Sequence, residues 1–196
     1  KQKIIKYTDN LNKHAEKIGA VNCLSITNKV KGTNTDWEGY FNSLPKIKNI
    51  NKKKVLLIGY GGAALAIHYV LKNKGFNNIL IINRSRKQIC FTKKKQYTIS
   101  LKHLNKYLPK ADIIINTTPK NPIKTSEKKL VDPNVLLSDI VYTPKETSFL
   151  KLFPNNKKIY GIYMLLEQAR LCFKIWFGFK PNIDSVLINM LNKKIK

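Results

Sequence analysis

The chain has 196 residues, 43% of them hydrophobic, with 37 Lys and Arg against 11 Asp and Glu and a formal net charge of +26. That size suits one domain or two small ones, and the apolar fraction excludes a disordered chain. The positive charge is almost all scattered lysine, with Arg84, Arg86 and Arg170 the only arginines. It reads as a solvated surface whose field attracts anionic ligands, and a basic nucleic-acid-binding module is the weaker alternative.

Residues 3–18 place Ile4, Ile5, Leu11, Ala15 and Ile18 as an apolar set and predict one amphipathic helix ending at Gly19. Residues 21–26 and 30–31 flank Thr27-Asn28-Lys29 and predict a strand, a turn and a second strand. Thr35 with Glu38 three residues on has capping-box spacing, and predicts a short helix that runs through Leu44 and stops at Pro45. A polar connector over 46–54 leads into a buried strand over 55–58, the turn Gly59-Tyr60-Gly61-Gly62-Ala63-Ala64, and an apolar helix to Leu71. Gly75 stands where a helix C-cap belongs, and 79–82 supplies a second buried strand.

Further on, the pattern predicts a helix to about Lys94, a weak strand near 97–99, a short helix over 101–108 and a strand over 112–115. A loop over 120–129, a strand over 135–141 broken by Pro144, a helix over 146–153 and a strand over 158–160 follow. Helices over 164–177, closed by Gly178, and over 183–191 end the chain. Strands alternating with helices predict a parallel α/β sheet. A membrane span over 55–71 is excluded by its glycines, by His68 and by length, since a span needs about 20 apolar residues.

The strand–glycine turn–helix–strand unit is the first half of a Rossmann-like dinucleotide-binding fold. Gly59 permits the tight turn, Gly61 lets the backbone approach a pyrophosphate, Ala64 allows close helix packing, and the helix N-terminus over Gly62 and Ala63 faces the phosphates. An NAD-binding unit ends its second strand in an acidic residue. Here the strand ends in Asn83-Arg84-Ser85-Arg86-Lys87, which suits the extra 2′-phosphate of NADP.

Cys23, Cys90 and Cys172 are odd in number and far apart, as for reduced thiols in a cytoplasmic protein. His14, His68 and His103 lie in separate segments and predict no metal site. No apolar run opens the chain as a signal peptide would. The opening Lys1-Gln2-Lys3 has no initiator methionine, as expected of a piece of a longer protein.

Six separated stretches together resemble one family, the shikimate dehydrogenases. They are Gly19-Ala20-Val21-Asn22, Asn34-Thr35-Asp36-x-x-Gly39, the glycine turn with Asn83-Arg84-Ser85, Asn116-Thr117-Thr118-Pro119, Asp139-Ile140-Val141-Tyr142-x-Pro144-x-Glu146-Thr147, and Gly161-x-x-Met164-Leu165-x-x-Gln168-Ala169. The resemblance implies NADP(H)-linked reduction of 3-dehydroshikimate to shikimate in aromatic biosynthesis. Asp36 matches the catalytic aspartate, and the family's spacing back from Asn22 lands its catalytic lysine on Lys1. Asn22, Tyr142 and Gln168 match substrate contacts. The glycine turn, Asn83, Arg84, Ser85, Arg86 and Thr117 match cofactor positions, and Gly161 and Met164 match positions beside the nicotinamide.

The resemblance departs at Lys120-Asn121-Pro122, where many members carry a Gly-Met pair, and at Tyr163, which replaces a common glycine. The family's upstream hydroxyl residues for the substrate carboxylate are not in this chain. It implies an NADP-binding domain over 36–165 and an N-terminally incomplete α/β substrate-binding domain over 1–35 and 166–196. The expected partner is a small-molecule substrate, with no nucleic acid and no membrane, in a monomer or homodimer. The rivals are a quinate or NAD user and a catalytically silent binding protein.

The chemistry is coherent in its own terms. Hydride arriving at a ketone leaves charge on oxygen, and a lysine held by a carboxylate supplies both proton and cation. Taken singly, Asp36 reads as a helix-start residue, Asn22 and Gln168 as polar filling, Tyr142 as a packed aromatic and Met164 as core. Their joint arrangement is what points to a site.

Overall fold

In the computed structural model, residues 1–92 and 95–195 are described. A 3-10 helix at Lys3–Tyr7 leads to β1 (Asn10–Leu11) and helix α1 (Lys13–Ile18). β2 (Cys23–Ile26) and β3 (Val30–Thr33) form an antiparallel hairpin, and β1 pairs parallel with β3 on the other side. The single helix predicted over 3–18 is therefore not formed. Asn10 and Leu11 pair with Lys31 and Gly32, a partner some twenty residues away that local periodicity does not register. Asn12 then restarts the helix, its side-chain oxygen accepting from the Ala15 N–H at 2.7 Å, and Gly19 closes it in the left-handed region at φ +70°.

α2 (Asp36–Ser43) stops before Pro45. Next come β4 (Lys54–Ile58), α3 (Gly62–Asn73), β5 (Asn78–Asn83), β6 (Ile99–Ser100), β7 (Ile113–Asn116), β8 (Leu136–Asp139), α4 (Ser148–Lys151) and β9 (Lys158–Ile159). The chain ends with α5 (Gly161–Phe177) and α6 (Ser185–Lys194). The six strands β6-β5-β4-β7-β8-β9 are all parallel, in the doubly wound order with its switch point between β4 and β7. β4 shows why these strands read as unbroken apolar runs. Val55 and Leu57 face the α3 side with Ala66, Ile67 and Val70, whereas Leu56 and Ile58 face Leu108, Phe149 and Phe153.

The helix predicted from Arg86 to about Lys94 is absent over its described part, and its end, Lys93 and Lys94, lies outside the described residues. The backbone crosses instead as a small antiparallel loop. Ile89 N donates to Gln96 O, Thr98 N donates to Lys87 O, and Phe91 takes φ +65°. Residues predicted as loop near 125 form a 3-10 helix, Thr125–Leu130. α5 begins at Gly161, three residues before the predicted start. No helix among the described residues is long and apolar enough to cross a membrane.

His68, on α3, is 2% exposed, lies against the Tyr60 and Phe91 rings, and has no hydrogen-bond partner for Nδ1. Burial, reinforced by the Lys72 charge, pulls its pKa from 6.5 down to about 4. The unfolded chain binds this proton from about pH 6.5 downward and the folded chain does not, so stability falls as pH drops from 6.5 towards 4. Urea unfolding is expected to lose roughly 2 kcal/mol between pH 7.5 and 5. His68→Leu is expected to flatten that slope.

Candidate active site

The site is built where β3 runs into α2. Asn34, which is buried, accepts from Asp36 N at 3.0 Å and donates to Ala20 O at 2.8 Å, so one side chain ties the Asp36 turn to the Gly19–Asn22 run. Thr35 N donates to Asn22 Oδ1 at 2.7 Å. The Asn22 amide nitrogen then lies 2.8 Å from Thr35 Oγ1, 2.9 Å from Gln168 Oε1 and 3.0 Å from Asp36 Oδ1. The other Asp36 oxygen, Oδ2, accepts from Lys1 Nζ. Asp36 is 2% exposed, so its carboxylate depends on these partners, whereas the Lys1 side chain keeps 39% of its surface open.

The capping box predicted at Thr35 and Glu38 does not form. The Thr35 hydroxyl caps nothing and donates instead to Gln168 O at 3.1 Å. It serves the join between α2 and α5, accepting from Asn22 Nδ2 at 2.8 Å while it donates to α5. That join is close: a Cβ on Gly39 would lie 2.7 Å from Gln168 N and from Gln168 Cβ.

A cleft of about 350 Å³ opens beside the pair and brings together Lys1, Asn22, Asp36, Tyr142, Gln168, Gly161, Met164 and Ala63. Gln168 Nε2 donates to Leu165 O at 3.0 Å, which sets the orientation of its amide. Gly161 starts α5 against the loop after β8, where a Cβ would meet Val141 O at 2.5 Å. Tyr142, on that loop, is exposed.

Apart from Gly161 and Met164, which start α5 in the cleft, the predicted cofactor residues lie around the carboxyl ends of β4, β5 and β7. Gly59 has φ +98°, and a Cβ there would meet Thr117 Oγ1 at 2.3 Å, so only glycine fits. Thr117 donates both N–H and O–H to Ile58 O, at 2.9 and 2.7 Å, so its hydroxyl proton secures β7 to β4. Gly61 leads α3 with open space where a side chain would stand, next to first-turn N–H groups that have no intrahelical acceptor. Gly62 backs onto the Lys1 stem, where a Cβ would meet Lys1 Cβ at 2.9 Å. The phosphate turn and the lysine thus touch.

Past β5, Asn83 Nδ2 donates to Ser85 O at 2.8 Å and shapes the turn. Arg86 stacks its guanidinium 4.2 Å from the Tyr97 ring centroid. Arg84 stands with Lys102 and Lys124 around a hollow of about 320 Å³, with Glu127 at its edge. A glycine turn, a helix N-terminus and a cationic hollow together fit a dinucleotide with a phosphorylated ribose. Among the described residues, no three His, Cys, Asp or Glu side chains gather as a metal site.

Asn34 and Asp139 carry no assigned role in the sequence reading, and Thr35 only that of a helix cap. Asp139, buried at the end of β8, accepts from Thr147 Oγ1 (2.6 Å), Val141 N (3.0 Å) and Asn116 Nδ2 (3.2 Å). Burial pushes its carboxyl pKa up, against the pull of those hydrogen bonds. Asn116 in turn accepts from Thr118 N at 3.0 Å, so one buried network sets both loops that flank the cleft. The only signal for it in the sequence is an uncompensated Asn and Asp at the ends of apolar strands.

Residues 43–140 match the family described as Shikimate / quinate 5-dehydrogenase. Shikimate dehydrogenase (NADP(+)) of Oceanobacillus iheyensis is 37% identical over 199 residues, covering 95% of this chain and 72% of that relative. A crystal structure of a shikimate dehydrogenase in complex with NADP+ superposes with TM-score 0.80 at 31% identity, over 100% of this chain and 74% of the other. Another, from Listeria monocytogenes in complex with shikimate and NAD, gives TM-score 0.76 at 27% identity, over 97% of this chain and 74% of the other.

On an open helix face, Gly39→Ala would add about 1 kcal/mol of helix preference. Here the new methyl meets backbone of α5 that cannot swing aside. Overpacking of this kind costs roughly 1–3 kcal/mol. Urea unfolding of Gly39→Ala is therefore expected to show a net loss of stability.

Proposed function

The chain belongs to the shikimate dehydrogenase family, and we propose that it catalyses the reversible NADP(H)-linked reduction of 3-dehydroshikimate to shikimate, with Lys1 and Asp36 as its catalytic pair. The observation that carries this reading is the Lys1–Asp36 ion pair in one cleft with Asn22, Tyr142 and Gln168, against the glycine turn. The relatives named as NADP(+)-dependent shikimate dehydrogenases favour it over an NAD-linked quinate enzyme or a non-catalytic nucleic-acid-binding module.

When bound, NADPH supplies the hydride that reduces the ketone carbon. Gly59, Gly61, Gly62 and Ala63 would hold its pyrophosphate at the start of α3, with Arg84, Ser85, Arg86 and Asn83 around the phosphorylated ribose, Thr117 at the strand ends, and Gly161 and Met164 beside the ring. Lys1 Nζ gives its proton to the carbonyl oxygen as charge builds there, and takes it back in the oxidative direction. Asp36 Oδ2 aims the ammonium, and its second oxygen is kept in place by Asn22. Asn22, Tyr142 and Gln168 offer amide and hydroxyl groups to the ring hydroxyls. The protein acts on a small molecule, with no nucleic-acid partner, as a cytoplasmic monomer or homodimer. The substrate domain spans 1–35 and 166–196, and the NADP domain 36–165.

Shikimate oxidation followed by nicotinamide absorbance, with NADP and NAD side by side, tests this. NADP is expected to turn over far faster than NAD. Arg84→Ala is expected to weaken NADP roughly 10- to 100-fold, as for one lost charged hydrogen-bonding group, and to leave NAD unchanged. Equal use of both cofactors, or an Arg84→Ala effect equal on both, would contradict the assignment.

A further inference from the structure

Two loops wall the ground between the glycine turn and the cleft. The first, residues 117–120, follows β7 and presses on the turn, where a Cβ on Gly59 would meet Thr118 Cγ2 at 3.0 Å. The second, residues 140–143, follows β8 and presses on the start of α5, where a Cβ on Gly161 would meet Ile140 O at 2.6 Å. Between them lies a hollow of about 450 Å³, lined by Thr117, Thr118, Ile140 and Tyr142 among others. Ile140 and Tyr142 also line the cleft, so the hollow opens into it. A dinucleotide that runs from the glycine turn to Met164 crosses this hollow with its nicotinamide end.

We propose that Asp139 is a positioning residue for that nicotinamide end: one of its oxygens holds the two loops to each other and so sets the width of the hollow. The inference rests on the function proposed above. Asn116 and Asp139 stand opposite each other in register at the ends of β7 and β8, at 1% and 2% exposure. Asp139 Oδ1 is the shared point. It accepts from Asn116 Nδ2 at 3.2 Å, at the root of the first loop, and from Val141 N at 3.0 Å, inside the second. Asn116 carries the hold outward, because its own Oδ1 accepts from Thr118 N at 3.0 Å and from the Thr118 hydroxyl at 2.8 Å, while Nδ2 also donates to Thr118 O at 3.1 Å. Asp139 Oδ2 serves neither loop's cleft end. It accepts from the Thr147 hydroxyl at 2.6 Å and ties β8 to the cap of α4.

The arrangement uses an acceptor and not a charge. Among the described residues no ion pair includes Asp139, and burial pushes its carboxyl pKa up. At 2% exposure the carboxyl reaches no ligand itself, so it acts on one through the loops. Asp139→Asn keeps an oxygen for Asn116 and Val141 and turns its new amide to Thr147, whose hydroxyl can rotate to accept. Asp139→Ala leaves Val141 N without its acceptor and cuts the join between the loops.

The test is binding by titration calorimetry, with NADP and with adenosine 2′,5′-bisphosphate, the half of NADP that lacks the nicotinamide. The unmutated protein is expected to bind NADP more tightly than the half molecule. Asp139→Ala is expected to weaken NADP roughly tenfold or more and to leave the half molecule unchanged. Asp139→Asn is expected to keep both affinities, a rescue that a general loss of stability would not produce. Asn116→Ala, which cuts the join but leaves Asp139 bonded to Val141 and Thr147, is expected to repeat the loss and takes the place of Asp139→Ala should that variant not fold. Weakening of both ligands alike, weakening of neither, or an Asp139→Asn protein as poor as Asp139→Ala would overturn the proposal. An unmutated protein that binds the half molecule and gains nothing from the nicotinamide half would overturn it too, with the cofactor assignment left standing. One that binds neither ligand refutes the proposed function, and this role with it.

Discussion

Burial of the Asp36 carboxylate is the constraint to which the rest of the structure answers. An ionised side chain at 2% exposure needs partners for both oxygens, and they come from different parts of the chain: Asn22 on one oxygen, Lys1 on the other. The requirement propagates. Asn22 can serve Asp36 only if its own carbonyl is held, which Thr35 N does, and only if the Gly19–Asn22 run is anchored, which Asn34 does through Ala20 O. Gln168 completes the ring from α5, and the absence of a side chain at Gly39 lets that helix come close enough. Lys1, Asp36, Asn22 and Gln168 are thus held by one another, which is the kind of preorganisation that stabilising charge at a carbonyl oxygen requires.

The same close approaches join the pair to the nucleotide ledge. Gly62 leaves room for the Lys1 stem, so the lysine proposed as proton donor lies directly on the glycine turn. Gly161 does the corresponding work where α5 leaves the parallel sheet, packing against the backbone of the loop that bears Tyr142. The buried Asp139–Asn116 pair fixes the two loops between these glycines. Lys1, Asn22, Gln168 and the glycine turn are brought to one place by close contacts with the backbone.

Much of this was legible from residues alone. The strands around β4 and β7 are short β-branched runs between turn residues, and no other element suits them. The two helices that fail to form share one cause, pairing that local periodicity cannot see. Asn10 and Leu11 leave the helical pattern because β3 recruits them. The run after Arg86 leaves it because Lys87 and Ile89 find partners across a loop. In the site, the resemblance supplied the roles of Lys1, Asp36, Asn22 and Gln168, since no spacing argument relates residues 146 positions apart. The supports of those residues stayed hidden for the same reason. A buried Asn34 and a diverted Thr35 hydroxyl acquire meaning only once their neighbours are known.

If Lys1 and Asp36 act as one unit, their losses must not add. The direct measurement is kcat/KM for shikimate oxidation in Lys1→Met, Asp36→Asn and the double variant. Each single change is expected to cost about 10²- to 10⁴-fold, and the double variant is expected to be no worse than the poorer single one. Losses that multiply, or an Asp36→Asn protein that keeps its rate, would contradict the account.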